Sequence, residues 1–245
     1  MKNKNREKNE TQHFDNLIIN KNTTWWGNET PAGKIRQHKR VQMLNSVLPK
    51  NSKLHLLELG CAIGEFTKRL ADNEKLQITA IDISPQVIKT ARSKINKKNV
   101  SFLTTNAYKL PFKDNFFDII CGNAILHHLD LEKTFPEIKR VAKKNAKLVF
   151  FEPNIFNPQV FIEKNVRFIG KLTQNSPDET AFNRFKLVKT LKSFNCKNIS
   201  VVPFDFLHPL TPKQFITTLE KVAQILENTP GIKEFSGSLF ITANI

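Results

Sequence analysis

A carboxylate, two glycines and a second carboxylate recur at short intervals in the first third of the chain. In LHLLELGCAIGEFTKRLA, residues 54–71, Glu58 sits in the end of an apolar run, Gly60 and Gly64 follow, and a helical pattern opens after Gly64. Asp82 ends the next apolar run, QITAIDI. A glycine turn between a strand and a helix presents backbone N–H groups and a positive helix end to a ligand. A dinucleotide needs the middle glycine of that turn so that its pyrophosphate can approach the backbone. Here Cys61, Ala62 and Ile63 separate the two glycines, and Glu58 would repel a pyrophosphate, so the NAD-dehydrogenase reading fails at the turn. The arrangement suits a nucleoside-like ligand with cationic groups and no phosphate.

Other candidates lie further along. His127 and His128, after the fourth apolar run, sit where a general base reaches a substrate; the alternative is that they cap or pack the turn. Glu152 ends the fifth run in FFEPN, placed either to meet a substrate amine or hydroxyl or to cap a loop. Trp25 and Trp26, adjacent in a polar stretch, want burial, as walls of an acceptor pocket or as plain packing. Lys34, Arg36 and Arg40 read as a solvated helix face, with contact to an anionic ligand as the alternative.

These residues need a scaffold that gathers strand ends. KLHLLEL, QITAIDI, VSFLTT, FFDIICG and AKLVFFE are apolar runs of strand length, and helical segments separate them. SPQVIKTARSKINKK has Ser84 as N-cap, Pro85 at the first helical position and a basic end. Alternation of this kind predicts right-handed βαβ units and a parallel sheet. NISVVPF and GSLFITAN supply a sixth and seventh strand, and Thr211 is the expected cap of the helix between them. Ser176 or Asp178 is the expected cap of the preceding one. Residues 1–22 read as a disordered lead-in, and residues 23–245 as one domain, with a covering extension over 23–50 and a lid-like helical insertion over 153–180. Phe161, Ile162, Val166, Ile169 and Leu172 share one face of that insertion, with Lys164, Arg167 and Lys171 nearby. It reads first as a lid over a hydrophobic acceptor and second as a weak contact with an anionic membrane surface.

LLELGCAIGEFT resembles the first motif of the class I S-adenosylmethionine-dependent methyltransferases, acid-x-Gly-x-Gly-x-Gly, with Ala62 at the middle glycine. AIDIS resembles their second motif. TTNAYKLPFKDNFFDIICGNAILHHL resembles the block from third to fourth strand in the methyltransferase family 11 group, with Asn106 where aspartate is usual. The resemblance implies a Rossmann-like α/β fold: a seven-stranded, mostly parallel sheet whose last strand is antiparallel, with helices on both faces. It implies S-adenosylmethionine as cofactor, whose ammonium and sulfonium suit Glu58. It places Gly60, Cys61 and Gly64 in the turn, Asp82 on the ribose and Ile83 against the adenine. Asn106 and Ala107 would meet the adenine edge, and Asn123 would face the turn across the point where strand order reverses. The implied activity is methyl transfer to oxygen, nitrogen or carbon of a small-molecule acceptor, hydrophobic or lipid-like acceptors included. The sulfonium leaves as a neutral thioether, so alignment carries most of the catalysis, worth up to about 7–11 kcal/mol, without a metal.

The formal net charge of +16 over 245 residues invites nucleic acid, and an RNA methyltransferase is the alternative within the same chemistry. Against it, the lysines are spread rather than clustered, and GNAILHH stands where base-amino methylases carry an Asn/Asp-Pro-Pro-aromatic motif. No nucleic-acid partner is expected. A third alternative, a noncatalytic binding module of the same fold, sits poorly with Glu58, Gly60, Gly64 and Asp82 all present. Three widely spaced cysteines, Cys61, Cys121 and Cys196, fit a reduced cytoplasmic setting and no zinc site.

Overall fold

The computed structural model describes residues 6–19, 27–49, 53–166 and 180–245. The apolar runs become strands β1 (Leu54–Leu59), β2 (Leu76–Asp82), β3 (Val100–Thr104), β4 (Phe117–Asn123), β5 (Ala142–Pro153), β6 (Lys197–Phe204) and β7 (Ser238–Asn244). They form one sheet in the order β3-β2-β1-β4-β5-β7-β6. β1 to β5 run parallel, and β7 pairs antiparallel with both β5 and β6. Leu56, Leu57 and Leu59 of β1 are fully buried, as a central parallel strand covered on both faces requires. Two apolar layers follow, one built on Leu57, Ile120, Phe135 and Phe150, the other on Leu56, Ile78, Ile119 and Phe151.

The chain leaves β1 toward β2 and β3, then returns to place β4 on the other side of β1. That reversal opens a crevice at the carboxyl ends of β1 and β4. Glu58 and Cys121 are register partners across it.

The helices are α1 (Arg6–Ile19), α2 (Pro31–Ser46), α3 (Glu65–Leu70), α4 (Pro85–Lys94), α5 (Leu131–Val141), α6 (Pro158–Asn165), α7 (Arg184–Ser193) and α8 (Ile216–Asn228). Ser84 caps α4 as expected, accepting from the Val87 N–H. Three expectations need correction. Residues 6–19 are a helix, where a disordered lead-in was expected; Glu7, Glu10 and Asp15 tie it to Asn106, His128 and Ser84, and the Phe14 ring meets His128. α7 is capped by the Asn183 side chain, which accepts from Phe185 and Lys186, so the helix starts after Ser176 and Asp178. Thr211 does not cap α8, because a 3-10 turn, Lys213–Phe215, intervenes.

Phe161, Ile162 and Val166 are exposed on and just after α6, so the described part of the insertion does not pack its apolar face on the core. Arg167, Ile169, Lys171, Leu172, Ser176 and Asp178 lie outside the described residues, as do Trp25 and Trp26. No helix among the described residues is long and apolar enough to cross a membrane.

Candidate active site

A cavity of about 550 Å³ opens over the carboxyl ends of β1, β2, β4 and β5. Its floor at β1 is the glycine turn. Gly60, Ala62 and Gly64 all take left-handed φ, +62°, +47° and +84°. Glycine reaches that region without strain, which explains why the position of Ala62 is a glycine in the motif it resembles. The turn is tied to β2 by the Cys61 N–H donating to the Ile81 carbonyl and the Ala62 N–H donating to Asp82 Oδ2. Asp82 Oδ1 accepts from the Ser84 N–H. Asp82 is therefore fixed at the end of β2, and burial pushes its carboxyl up to about 6.

Glu58 is 1 % exposed, and its Oε2 is buried without a hydrogen-bond partner. Burial pushes this carboxyl up to about 8, with the Thr67 hydroxyl offsetting part of the effect and Asp82 adding to it. A buried acid without a partner is costly unless a cation joins it. The residues present thus fit a ligand with an ammonium at the β1 turn and a diol at β2. Cys61 and Cys121 are buried thiols raised well above their ordinary range, so they stay protonated. Among the described residues no group of three His, Cys, Asp or Glu side chains is arranged to hold a metal.

At the end of β4, Asn123 Nδ2 donates to Gln37 Oε1 of α2, and Gln37 Nε2 donates to Asn28. The chain then forms a 3-10 turn, Leu126–His128. Glu152, 2 % exposed at the end of β5, organises this turn. Its Oε1 accepts from the backbone N–H groups of Ile125 and Leu126, and its Oε2 pairs with His127 Nδ1 at 2.6 Å. The His128 ring lies against that of His127, centroids 4.1 Å apart, while its Nδ1 lies 3.1 Å from Glu10 of α1 and its ring meets Phe14 edge-on.

Helix α1 reaches across the β2–β3 side of the cavity. Glu7 Oε2 accepts from Asn106 Nδ2 at 2.8 Å, and Asp15 accepts from the Ser84 hydroxyl. The Asn106 side-chain oxygen accepts from the Tyr108 N–H. Ile83 and Ala107 line the cavity beside these groups. The structure therefore brings Glu58, Gly60, Cys61, Asp82, Ile83, Asn106, Ala107, Asn123, His127, His128 and Glu152 to one cavity. Gly64 stands behind the turn as the α3 N-cap.

Sequence reasoning missed part of the far wall. Arg36 and Arg40 are not a solvated face: Arg40 is 9 % exposed, and both pair with Asp205 after β6. Their i, i+4 spacing, which puts them on one helix face, was the available signal. Asp205, Ser238 and Gln37 gave none, since their roles come from elements distant in the chain.

Residues 57–150 match the family model of a methyltransferase domain. The chain is 30 % identical over 164 residues to a demethylmenaquinone methyltransferase of Lactiplantibacillus plantarum, an alignment that covers 61 % of this chain and 68 % of that one. It is 28 % identical over 159 residues to a malonyl-[acyl-carrier protein] O-methyltransferase of Paenibacillus, covering 58 % of this chain but only 56 % of that relative's length. The fold matches a SAM-dependent methyltransferase structure from Thermotoga maritima with a TM-score of 0.67 at 16 % identity, over 95 % of this chain and 98 % of that one.

Proposed function

Because the chain belongs to the class I S-adenosylmethionine-dependent methyltransferases, we propose that it transfers the methyl group of S-adenosylmethionine to a small-molecule acceptor with an apolar body. The observation that carries this reading is the bracket around the glycine turn: Glu58, buried with an unpartnered oxygen on one strand, and Asp82, fixed by Ala62 and Ser84 on the next. Glu58 would hold the cofactor ammonium, Asp82 the ribose diol, and Ile83, Asn106 and Ala107 the adenine edge. The bound cofactor supplies an activated methyl group that transfers in line with release of a neutral thioether.

The remaining work falls to the chain's own residues. Asn123 and Gln37, hydrogen-bonded across the crevice, wall the space between cofactor and acceptor. Glu152 Oε2, 2.6 Å from His127 Nδ1, orients the imidazole, which would take up an acceptor proton. Glu152 acts here as a positioning residue, not as the group that meets the acceptor. His128, held by Glu10 and Phe14, serves the covering helix rather than the reaction. A small-molecule acceptor agrees with the relatives, which are named for a quinone and for a malonyl group on a carrier protein. The exposed Phe161, Ile162 and Val166 suit weak contact with a membrane surface, which sedimentation with anionic vesicles would detect.

The test is thermal unfolding with S-adenosylmethionine, S-adenosylhomocysteine and NAD in parallel. A ligand at 100 times its Kd adds about 2.7 kcal/mol, which moves the midpoint of a chain this size by about 5–10 °C. The reading expects a shift with the two sulfur ligands, none with NAD, and loss of the shift in Asp82→Ala. A shift with none of them sets the methyltransferase reading aside in favour of a noncatalytic module.

A further inference from the structure

We propose that the acceptor carries an oxyanion, a carboxylate or a phosphate, on an apolar body, and that Arg36 and Arg40 receive it. The inference rests on the methyltransferase reading and names the class of acceptor within it.

Asp205 Oδ2 accepts from Arg36 Nε at 2.7 Å and from Arg40 Nη2 at 3.2 Å, so one carboxylate oxygen serves two guanidiniums. The Ser238 hydroxyl is the other acceptor of Arg40, at 3.0 Å. Each guanidinium has five donors and no acceptor. Among the described residues Arg40 Nε is buried with no acceptor, and the Arg36 bond to Asp205 runs through Nε. Two cations on one shared carboxylate, both in the wall of a cavity, form an incomplete site of the geometry that binds oxyanions bidentately.

Nearby charge does not complete it. Glu152 lies in the field of Arg40, but both its oxygens are committed to His127 and to two backbone N–H groups. Burial and the Arg36 charge push His208, in the same cavity wall, below its ordinary value, against the opposing pull of Glu163 and Asp205. The positive field of Arg36 is therefore felt inside the cavity.

The cofactor's own carboxylate is the competing occupant, and the topology argues against it. The cradle stands at the ends of β1 and β2, whereas Asp205 and Ser238 stand at β6 and β7. From β1 to β7 the sheet steps through β4 and β5, three strand spacings, or roughly 14 Å. Val160, Leu207 and Leu210 line the cavity on this far side, which gives an anionic head an apolar slot for its body.

The experiment is calorimetric titration of the full chain, saturated with S-adenosylhomocysteine, with octanoate, octyl phosphate and octanol. At least one anion should bind tenfold or more tightly than octanol, and the tighter anion identifies the head group. Arg36→Met should remove that preference while the affinity for S-adenosylhomocysteine stays within twofold. Octanol binding as tightly as both anions would overturn the inference, leaving the arginines as a tie between α2 and the sheet. So would a tenfold loss of S-adenosylhomocysteine affinity in Arg36→Met or Arg40→Met, which would reassign them to the cofactor. Should Arg40→Met not fold, the wild-type comparison and Arg36→Met decide alone. Failure of S-adenosylhomocysteine itself to bind refutes the methyltransferase reading instead, and the three titrations on the free protein still read the anion site.

Discussion

Oε2 of Glu152 lies 2.6 Å from Nδ1 of His127, while Oε1 of the same carboxylate takes two backbone N–H groups of the turn that carries the histidine. One side chain at the end of β5 thus shapes the exit from β4 and holds the orientation of an imidazole. A cap would need only the backbone bonds. The third bond is the one on which the proposed base role of His127 depends.

Glu152→Gln separates the two roles. The amide oxygen still accepts from Ile125 and Leu126, so the unfolding midpoint should stay within a few degrees. The amide nitrogen now donates to Nδ1, which moves the imidazole proton to Nε2 and removes the base. With an acceptor in hand, turnover should fall about 100- to 10,000-fold, with cofactor affinity within twofold. Imidazole ¹⁵N shifts report the tautomer directly. Unchanged turnover with a switched tautomer would reduce His127 to packing.

The two cradle carboxyls set a pH dependence whose sign follows from burial. Both are raised from ordinary values of 3.8 and 4.5, Asp82 to about 6 and Glu58 to about 8. A raised carboxyl favours the fold while protonated, so the ligand-free protein should lose stability as pH rises above the ordinary values of 3.8 and 4.5, the Asp82 part levelling off at about 6 and the Glu58 part at about 8. Glu58→Gln should exceed the wild type in stability at pH 9 by a few kcal/mol, a gap that narrows below pH 8 and closes only toward 4.5, the ordinary value of the carboxyl. An ammonium beside Glu58 favours the ionised form, so S-adenosylhomocysteine binding near pH 7 should release close to one proton. Calorimetry in buffers of different ionisation enthalpy counts it. A release that persists in Glu58→Gln would place the proton elsewhere.

The parts of this site legible in the sequence are those whose neighbours in space are also neighbours in the chain. Glu58, Gly60 and Gly64 belong to one strand, turn and helix, and Asp82 to the next strand, so periodicity and a turn signal sufficed. Both faces of β1 are buried, and its unbroken apolar run says so. The acceptor wall is different. Arg40 meets residues 165 and 198 positions away, Asp205 and Ser238, and nothing local marks that pairing. Helix α1 is polar enough to read as unstructured, and the polar pairs that tie it down, Glu7, Glu10 and Asp15 with Asn106, His128 and Ser84, join residues distant in the chain. Helix starts were misread where several capping residues compete within a few positions, as at Ser176, Asp178 and Asn183.

Ala62 and Gly60 make a contrasting pair. Ala62 holds φ +47°, a strain of about 1–2 kcal/mol for a residue with a Cβ. Ala62→Gly relieves it and loses about 0.4–1 kcal/mol to the greater freedom of the unfolded chain. The midpoint should hold or rise by a few degrees, with S-adenosylhomocysteine affinity kept. At Gly60 a Cβ would sit 2.4 Å from Ile125 Cδ1, on a backbone already at φ +62°. Gly60→Ala should destabilise by about 2 kcal/mol or more and weaken the cofactor at least tenfold, read by thermal unfolding and titration. Equal effects at the two positions would mean that turn geometry does not govern the cradle.

Asn106 explains why the covering helix can dock at all. Its Nδ2 donates to Glu7 at 2.8 Å, and an aspartate at the same position would face that carboxylate with a like charge. Asn106→Asp should therefore loosen α1 even though it restores the residue usual in the resembling motif. The pair is exposed, so the effect on S-adenosylhomocysteine release is modest, about two- to fivefold faster in stopped-flow displacement. Glu7→Gln added to it should bring the rate back, because the amide again donates across the gap. Removing residues 1–19 should speed release by tenfold or more yet shift the ligand-free midpoint by only about 3 °C, since neither of the two main core clusters includes a residue of α1. If truncation leaves release unchanged, α1 is a surface ornament of the sheet, and the cavity closes by some other element.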